Sequence, residues 1–346
     1  MVYVKTIGRN TENMRVLLDK NKGFYKANLH THTHLSDGTA SPEEIKAAYK
    51  ANGYSVVAFT DHEFVTDVSC LTDKDFVAIG GCELTVKECD TQSTKTNGTL
   101  KVTHLCLYAE SPKNVTTPCF SKHYAKKFIN EHSEGKFRHV GEYNRVYSPE
   151  GISDLIRRSH EAGFLVCYNH PGWSLELDGR YLGYEGLDFV EILNTGCAKM
   201  GFPDDEAVFA TMLTEGKKIF CTAADDCHGG GLEYPKGDAF LGFVMINSDT
   251  LSYESVICAL KSGNFYASSG PRIFSLTLEG NKVTVECDEC RKITLFHRGR
   301  FSKSIHSDGD TPITSAAFNL REGADGFRIK IENSEGRCAW TQFYEI

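Results

Sequence analysis

The sequence predicts an α/β fold in which a β/α barrel is followed by a small antiparallel β-sandwich. The first observation is a strand–helix–strand unit over residues 25–60, in which both strands end in histidine or carboxylate residues. The second is that this pattern recurs along the chain to about residue 268. The third is the alternation of apolar and polar residues after Gly270, which is typical of antiparallel sheet. We therefore divide the chain into residues 1–268 and 269–346.

The first unit has clear boundary signals. A strand over residues 25–32 precedes a helix with Ser41 at the N-cap, Pro42 at the first helical position and Gly53 after its end. The apolar run at residues 55–60 predicts a buried parallel strand. Ligand-type residues at the carboxyl ends of such strands are typical of β/α barrels, whose active sites lie at that face.

The other elements are predicted from the same periodicity, capping and turn signals. They are, in chain order, a short strand at 2–7, a polar helix around 14–19, a strand at 76–82, a hairpin turning at Asn97-Gly98 and returning near His104, an insertion at 111–149 with a helix near 123–131, a helix at 151–162, strands at 164–168 and 188–193, a helix at 203–215, a strand at 218–223 and a helix at 253–261.

Composition limits the classes of protein. The chain has 346 residues, 40% of them hydrophobic, which is enough to form a packed core. The net charge of −8 argues against a protein that coats long nucleic acids. No apolar run is long enough for a membrane helix, and the first residues lack the apolar region of a signal peptide. With 13 cysteines that suit buried thiols, we expect a cytoplasmic protein without a membrane partner.

A metal site is the strongest chemical signal in the sequence. His30 and His32 stand two residues apart on one strand, so their side chains share a face. Nine histidine and carboxylate residues fall at or just after predicted strand ends, namely His30, His32, Asp37, His62, Glu83, His104, His170, Asp226 and His228. Nine ligands exceed one coordination sphere, so we expect two or three divalent ions, with Zn, Mn or Fe suited to the mixed donors.

Such a site indicates hydrolysis. Clustered metals lower the pKa of a bound water and polarise a phosphoryl or carbonyl group. The sequence has neither a GxSxG nucleophile motif nor a phosphate-binding P-loop. A metal-bound hydroxide is then the natural nucleophile, with a histidine as a candidate proton donor to the leaving group.

The ordered motifs HTHTHLSDG, TDHE, GCELT, THLCLY, YNHPG and DDCHG resemble those of the PHP (polymerase and histidinol phosphatase) superfamily of metal-dependent hydrolases. The resemblance covers residues 24–268 and implies a distorted (β/α)7 barrel with two or three metals at its carboxyl-terminal face. It implies three ligand sets, which are His30, His32, Glu83 and Asp226; Asp37, His62 and His228; and His104 with His170, bridged by Glu83.

The resemblance leaves four positions open. Asp225 is an extra carboxylate beside Asp226, and it either supports or competes with that ligand. His34 either faces away from the site or lends a proton, and Asp61 is expected to orient a ligand histidine. The run Ser269-Gly270-Pro271-Arg272 and the β-rich tail are similar to the CehA/McbA branch. There Arg272 either anchors an anion at the site or forms a structural pair.

The function that most PHP resemblances imply is hydrolysis of a phosphate mono- or diester of a small molecule. The tail favours an alternative, a metal-dependent hydrolase of carboxylic esters, amides or carbamates. These two share a nucleophile and differ in the pocket, which would carry cationic groups for a phosphate and aromatic side chains for an apolar ester. A third alternative, of another class, is a non-catalytic metal-binding module. The partner expected for an enzyme is a small, phosphorylated substrate.

Overall fold

The computed structural model describes residues 14–88, 100–176, 178–230, 232, 237–309 and 311–346, which form a mixed α/β fold. The strands are β1 (Arg15–Leu18), β2 (Gly23–Asn28), β3 (Val56–Phe59), β4 (Val77–Lys87), β5 (Val102–Ala109), β6 (Thr116–Thr117), β7 (Arg138–His139), β8 (Phe164–Tyr168), β9 (Phe189–Asn194), β10 (Phe220–Ala224), β11 (Phe243–Ser248), β12 (Phe265–Ser268), β13 (Ile273–Glu279), β14 (Lys282–Cys290), β15 (Lys292–Phe296), β16 (Ser302–His306), β17 (Ile313–Asn319), β18 (Gly326–Glu332), β19 (Cys338–Thr341) and β20 (Tyr344–Glu345). The α-helices are α1 (Pro42–Ala51), α2 (Lys122–Ala125), α3 (Pro149–Glu161), α4 (Thr195–Lys199), α5 (Glu206–Thr214) and α6 (Tyr253–Ser262).

Seven strands form an arc in the order β10-β9-β8-β5-β4-β3-β2. Neighbours in this arc are parallel except β5, which runs antiparallel to β4 and β8. The two ends of the arc approach each other just beyond β2 and β10. There Thr31 and Cys227 form a parallel bridge, and the amide of His32 donates to the carbonyl of Cys227 at 2.8 Å. The carboxyl ends of the parallel strands therefore meet at one edge.

Apolar side chains fill the region below that edge. One buried cluster combines residues of the arc, such as Ala27, Val56 and Cys167, with Val256 and Leu260 of α6. The hydroxyl of Tyr253, at the start of α6, also donates to the carbonyl of Ala109 at the end of β5. Because this packing is apolar, the polar side chains gather at the opposite edge.

The sheet continues from the arc into the C-terminal part of the chain. Strand β11, which the sequence did not predict, pairs antiparallel with both β2 and β12, and the sheet then passes through β19, β18, β15 and β16. A second sheet has the order β1-β13-β14-β17. Leu276 and Val285 of the second sheet share a buried cluster with Leu295 and Ile329 of the first. The division at residue 268 and the sandwich stay predictions.

Most predicted elements of the arc are confirmed, and helix α1 carries the full capping box of Ser41 and Glu44. The helix around residues 14–19 is wrong, because this segment forms β1 and pairs with β13. The helix near 123–131 is reduced to α2, which is followed by turns. The strand at 2–7 and the Asn97-Gly98 turn lie outside the described residues. None of the described helices has the length and apolar character needed to cross a membrane.

Candidate metal centre

The nine predicted ligands lie together at the carboxyl-terminal edge of the arc. Seven of them lie in the loops that follow β2, β3, β8 and β10. Glu83 lies inside β4, because this strand continues to Lys87 and does not end at residue 82 as the sequence suggested. His104 instead lies near the start of β5, not at the end of a strand as the sequence suggested. Because β5 is antiparallel to its neighbours, its start lies at the same edge as their carboxyl ends. Six different strands of the arc thus present ligands to one volume.

Glu83 lies at the centre of this cluster, with its carboxylate almost completely buried. Both of its oxygens face imidazole nitrogens. The distances are 3.0 Å from Oε1 to Nδ1 of His104, 3.2 Å from Oε1 to Nε2 of His170, 3.3 Å from Oε1 to Nε2 of His30, 3.3 Å from Oε2 to Nδ1 of His62 and 3.4 Å from Oε2 to Nε2 of His32. A carboxylate with both oxygens placed in this way has the geometry of a bridging ligand.

His30 and His32 converge as their spacing predicts. Their Nε2 atoms are 3.2 Å apart, and both rings are buried. Oδ1 of Asp226 lies 3.2 Å from Nε2 of His30 and 3.1 Å from Nε2 of His32. These three side chains therefore form one group of donors around a common point.

The cluster opens to solvent beside Asp37 and His228, whose side chains are 40% and 38% exposed. Oδ2 of Asp37 lies 3.5 Å from Nε2 of His62, and its Oδ1 lies 3.7 Å from Nε2 of His228. His32 completes a second group with these residues. A third group consists of Glu83, His104 and His170. A substrate would reach the cluster from the Asp37 side.

Several buried atoms of the cluster have no hydrogen bond. They include Nδ1 of His32, Nδ1 of His62 and Oδ1 of Asp226. Buried polar groups are normally paired, so unpaired atoms that lie 3–4 Å from other ligand atoms of the cluster indicate a missing partner. Each of these atoms is a donor type that divalent metals accept. The side chains therefore fit a multinuclear metal centre.

Electrostatics keep the buried carboxylates of Glu83 and Asp226 ionised. Burial raises the pKa of Glu83, but His104 and His30 outweigh burial and hold that pKa well below its usual range. Burial acts in the same direction on Asp226, and His30 and His32 again hold its pKa well below the ordinary value. Burial, together with His32, lowers the pKa of His62, so its ring is neutral. Burial lowers the pKa of His30 and of His32 as well, but Asp226 and Glu83 outweigh burial and raise both pKa values, so a metal ion would displace protons from these two rings.

Three further residues contact the ligands and were not singled out as site residues from the sequence. Oε1 of Glu191 lies 2.8 Å from Nδ1 of His30, and its Oε2 accepts the amide of His170 at 2.9 Å. The side-chain amide of Asn169 donates to Glu83 at 2.7 Å, and that of Asn194 donates to Glu191 at 3.0 Å. The signal available was position, since Glu191 and Asn194 lie at the end of β9 and Asn169 precedes a ligand. Such partners fix the orientation of metal ligands.

The pair Asp225 and Asp226 separates into two roles. Asp225 is buried and accepts hydrogen bonds from the amides of Phe240, Leu241 and Gly242 and from the hydroxyl of Tyr49. It thereby holds the segment after β10 in place. Only Asp226 faces the histidines, and its backbone has a positive φ of 55°. A non-glycine residue in this conformation is strained, and strain of this kind is common at functional sites.

Asp61, which was expected to orient a ligand histidine, and His34, which was expected either to face away or to lend a proton, contact groups around the cluster. Asp61 accepts hydrogen bonds from the amide and hydroxyl of Thr33 and from the hydroxyl of Ser36, so it fixes the loop that carries His32 and Asp37. The ring of His34 stacks on His132, with centroids 4.4 Å apart.

Arg272 lies away from the metal ligands, and this placement agrees with the structural pair among its two predicted roles. Its guanidinium donates to Asp288 at 3.0 and 3.1 Å. The 111–149 segment, in contrast, reaches the site. Phe128 stacks on His62 with centroids 4.2 Å apart. The buried guanidinium of Arg145 pairs with Glu63 at 2.6 Å, beside His62.

Comparisons with known proteins give one family match and several distant structural similarities. Residues 28–170 match the family model of the PHP domain. None of the curated proteins compared with the chain matches it. Among solved structures, a two-domain protein from Bacteroides vulgatus that contains a predicted PHP-like metal-dependent phosphoesterase is 12% identical, with 98% of this chain and 99% of that chain covered and a TM-score of 0.45. An amidohydrolase from Chromobacterium violaceum is 16% identical, with coverage of 59% and 88% and a TM-score of 0.39.

The match to the family model ends at His170, so Asp226 and His228 lie beyond it. Their place in the cluster comes from geometry alone, through the bridge that joins the segment after β10 to the segment after β2. The structural neighbours are too distant in sequence and in fold to assign residues or a substrate.

Proposed function

The chain contains a PHP domain over residues 28–170, and from this premise we propose that the protein is a metal-dependent phosphoesterase acting on a small phosphate mono- or diester. The observation that carries the proposal is the position of Glu83. Its two buried carboxylate oxygens face five histidines, and neighbouring donor atoms have no other partner. This arrangement is what a bridged metal pair requires, with room for a third ion at the remaining donors.

We propose two or three divalent ions, with Mn, Fe or Zn as the candidates for the mixed imidazole and carboxylate donors. Such ions generate a nucleophile from water at neutral pH and polarise the scissile group. Such ions would also bind an anionic oxygen at coordination positions that the protein leaves open, which fits a phosphoester substrate.

The residues around the centre would act mainly by orienting the metal ligands and the substrate. Asp37 and His228, at the open side, lie where a bound phosphate would contact the centre. Glu191 orients the ring of His30, and Asp61 fixes the ligand loop through Thr33. Asp61 is thus proposed as a positioning residue. The ring of His34 stacks on His132 and belongs to none of the donor groups of the cluster, so His34 keeps both of its predicted alternatives, facing away from the site or lending a proton.

A second candidate is a hydrolase of carboxylic esters, amides or carbamates. The observation in its favour is that aromatic side chains pack against the ligand histidines. Phe128 stacks on His62, and the ring centroid of Trp173 lies 5.3 Å from that of His104 and 5.0 Å from that of His170. Among the described residues, no lysine or arginine forms an ion pair with a carboxylate of the cluster. An apolar wall with few cationic groups would also receive an uncharged ester.

The finer features of the fold are part of the proposal. The seven strands of the arc and the bridge between Thr31 and Cys227 support a distorted (β/α)7 barrel over residues 1–268. The shared apolar cluster of the two C-terminal sheets supports a β-sandwich over residues 269–346, as in the CehA/McbA branch. The cysteines of the described residues are free thiols, which supports a cytoplasmic location.

A paired assay on protein of measured metal content tests the proposal. It compares p-nitrophenyl phosphate and bis-p-nitrophenyl phosphate with p-nitrophenyl acetate and an aryl carbamate, with and without added Mn²⁺. We expect turnover of a phosphoester that requires at least two metal ions per chain. Turnover of the acetate or carbamate alone would replace the proposal with the second candidate. Bound metal without turnover of any substrate class would favour the non-catalytic module.

A further inference from the structure

A second cavity lies between β2, the turn after α1, β11 and the segment that links the arc to the C-terminal strands. It encloses about 490 Å³, within the usual range for small-ligand sites. None of its lining residues belongs to the metal cluster. Lys26 of β2 lines this cavity and stands four residues before His30 of the metal cluster. Four residues of extended chain span about 13 Å, which separates the cavity from the metal cluster.

One wall of the cavity is cationic. It carries Lys26, Arg272 and Arg337, and none of the described residues that line the cavity is acidic. Arg337 is bound to Glu335. Arg272 is bound to Asp288 through two of its five N–H groups, which leaves N–H groups of Arg272 for another partner. No carboxylate among the described residues forms an ion pair with Lys26, so its charge is not neutralised by a direct contact.

The environment of Lys26 is unusual for an ammonium group. Its Nζ lies over the rings of Tyr54 and Phe243, at 4.0 and 4.5 Å from their centroids. Burial lowers the pKa of Lys26 to about 8, although the negative charge of Asp225 acts in the opposite direction. A charge that has lost water without gaining an anion is one that an anionic ligand would stabilise.

The other wall of the cavity is apolar. Phe24, Phe240, Phe243 and Met245 line it. Ser269 and Gly270, from the run that resembles the CehA/McbA branch, complete the boundary. The motif that the metal centre does not use therefore lies at this second cavity, together with Arg272.

We propose that this cavity is a second binding site, which takes a small organic anion with a carboxylate, sulfonate or phosphate group joined to an apolar or aromatic body. The anionic group contacts Lys26 and the N–H groups of Arg272, and the apolar body packs on Phe24 and Phe243. Because Lys26 belongs to the arc and Arg272 to the C-terminal part, a bound anion bridges the two.

Binding of 8-anilinonaphthalene-1-sulfonate to metal-loaded protein tests the site, because this probe combines a sulfonate with an aromatic body. Lys26→Gln and Arg272→Gln should each weaken binding, with about a tenfold loss for Lys26→Gln, which corresponds to about 1.4 kcal/mol. Lys282→Gln, which changes an exposed lysine of β14 outside the cavity, is the matched control and should bind as the parent does. Equal affinity in the parent and in Lys26→Gln would overturn the proposal.

Chemical footprinting of the unmodified protein provides a test that does not depend on the folding of a variant. Acetylation of each lysine is followed by mass spectrometry with and without the probe. Bound probe should slow the acetylation of Lys26 severalfold and leave Lys282 unchanged. An unchanged rate at Lys26 under saturating probe would place the probe elsewhere and refute the site.

Discussion

Two buried glutamates, Glu83 and Glu176, differ completely in what surrounds them. Both are almost inaccessible to water. Oε1 of Glu176 accepts hydrogen bonds from the hydroxyls of Thr103, Tyr147 and Tyr184 at 2.6–2.7 Å, and its Oε2 accepts one from Tyr168 at 2.6 Å. Glu83 has one amide donor, and its other neighbours are imidazoles.

The difference shows that burial of a carboxylate does not by itself identify a functional site. Glu176 is stabilised by neutral donors that the protein supplies in full, so its surroundings need nothing further. Around Glu83, by contrast, Nδ1 of His62 and Oδ1 of Asp226 remain without a hydrogen bond. The first arrangement fixes the loop after His170, and the second requires cations to complete it.

The largest effect is expected from Glu83→Gln, which keeps the shape of the side chain and removes its charge. Activity against the best substrate should fall at least about a thousandfold, beyond the ten- to hundredfold typical of changes to outer-shell partners. Metal content should fall as well. In the parent, added Mn²⁺ should raise the melting temperature, because metal binds the folded state only. In the variant this rise should be largely lost.

Glu134→Gln is a matched control, since Glu134 is exposed and lies outside the cluster. It should keep the activity, metal content and metal-dependent melting temperature of the parent. If Glu83→Gln keeps full activity and full metal content, Glu83 is not a bridging ligand and the assignment of the centre fails.

Glu176→Gln should affect stability instead of chemistry. The substitution replaces one carboxylate oxygen of Glu176, which accepts hydrogen bonds, with an NH2 group that donates them. One or two of the hydrogen bonds from the tyrosine hydroxyls are therefore lost. We expect the free energy of unfolding to fall by about 1–3 kcal/mol. Urea denaturation measures this change. At a temperature where both proteins are folded, kcat and metal content should match the parent.

The comparison therefore predicts opposite effects for the two variants. Glu83→Gln should lose activity and metal, whereas Glu176→Gln should lose stability and keep both. A large loss of kcat in fully folded Glu176→Gln would mean that the hydrogen bonds between Glu176 and the tyrosines control the position of His170 during the reaction. Such a result would contradict the assignment of these hydrogen bonds to stability alone.

The sequence reveals the metal ligands well for a physical reason. Alternation along a strand places His30 and His32 on one face, and the parallel arrangement brings the ends of several strands to one edge. The pattern cannot show that β5 is antiparallel, so His104 was assigned to a strand end although it lies near a strand start. It also could not show that β11 joins the arc to the C-terminal strands.

Roles that depend on side-chain partners were harder to predict. Arg272 has the chemistry of an anion anchor, but only the fold shows that its guanidinium is bound to Asp288 beside a different cavity. The choice between Asp225 and Asp226 depended on which one meets the amides of residues 240–242. Local composition likewise suggested a helix before residue 20, whereas pairing with β13 makes this segment a strand.

Lys26 is a partly buried positive charge that can be compared with the two buried glutamates. Its substitution should have the smallest effect of the three, a pH-dependent change in the free energy of unfolding. Its pKa is about 8 in the folded protein and near 10.5 when unfolded. Below pH 8 both states carry the proton, whereas between about pH 8 and 10.5 only the unfolded chain does. The unfolding free energy of the parent should therefore rise across this window relative to Lys26→Met, by about 1–2 kcal/mol after allowance for partial exposure. Urea midpoints measured under reducing conditions at both ends of the window test this, and parallel pH profiles for the two proteins would show that Lys26 is solvated like a surface lysine.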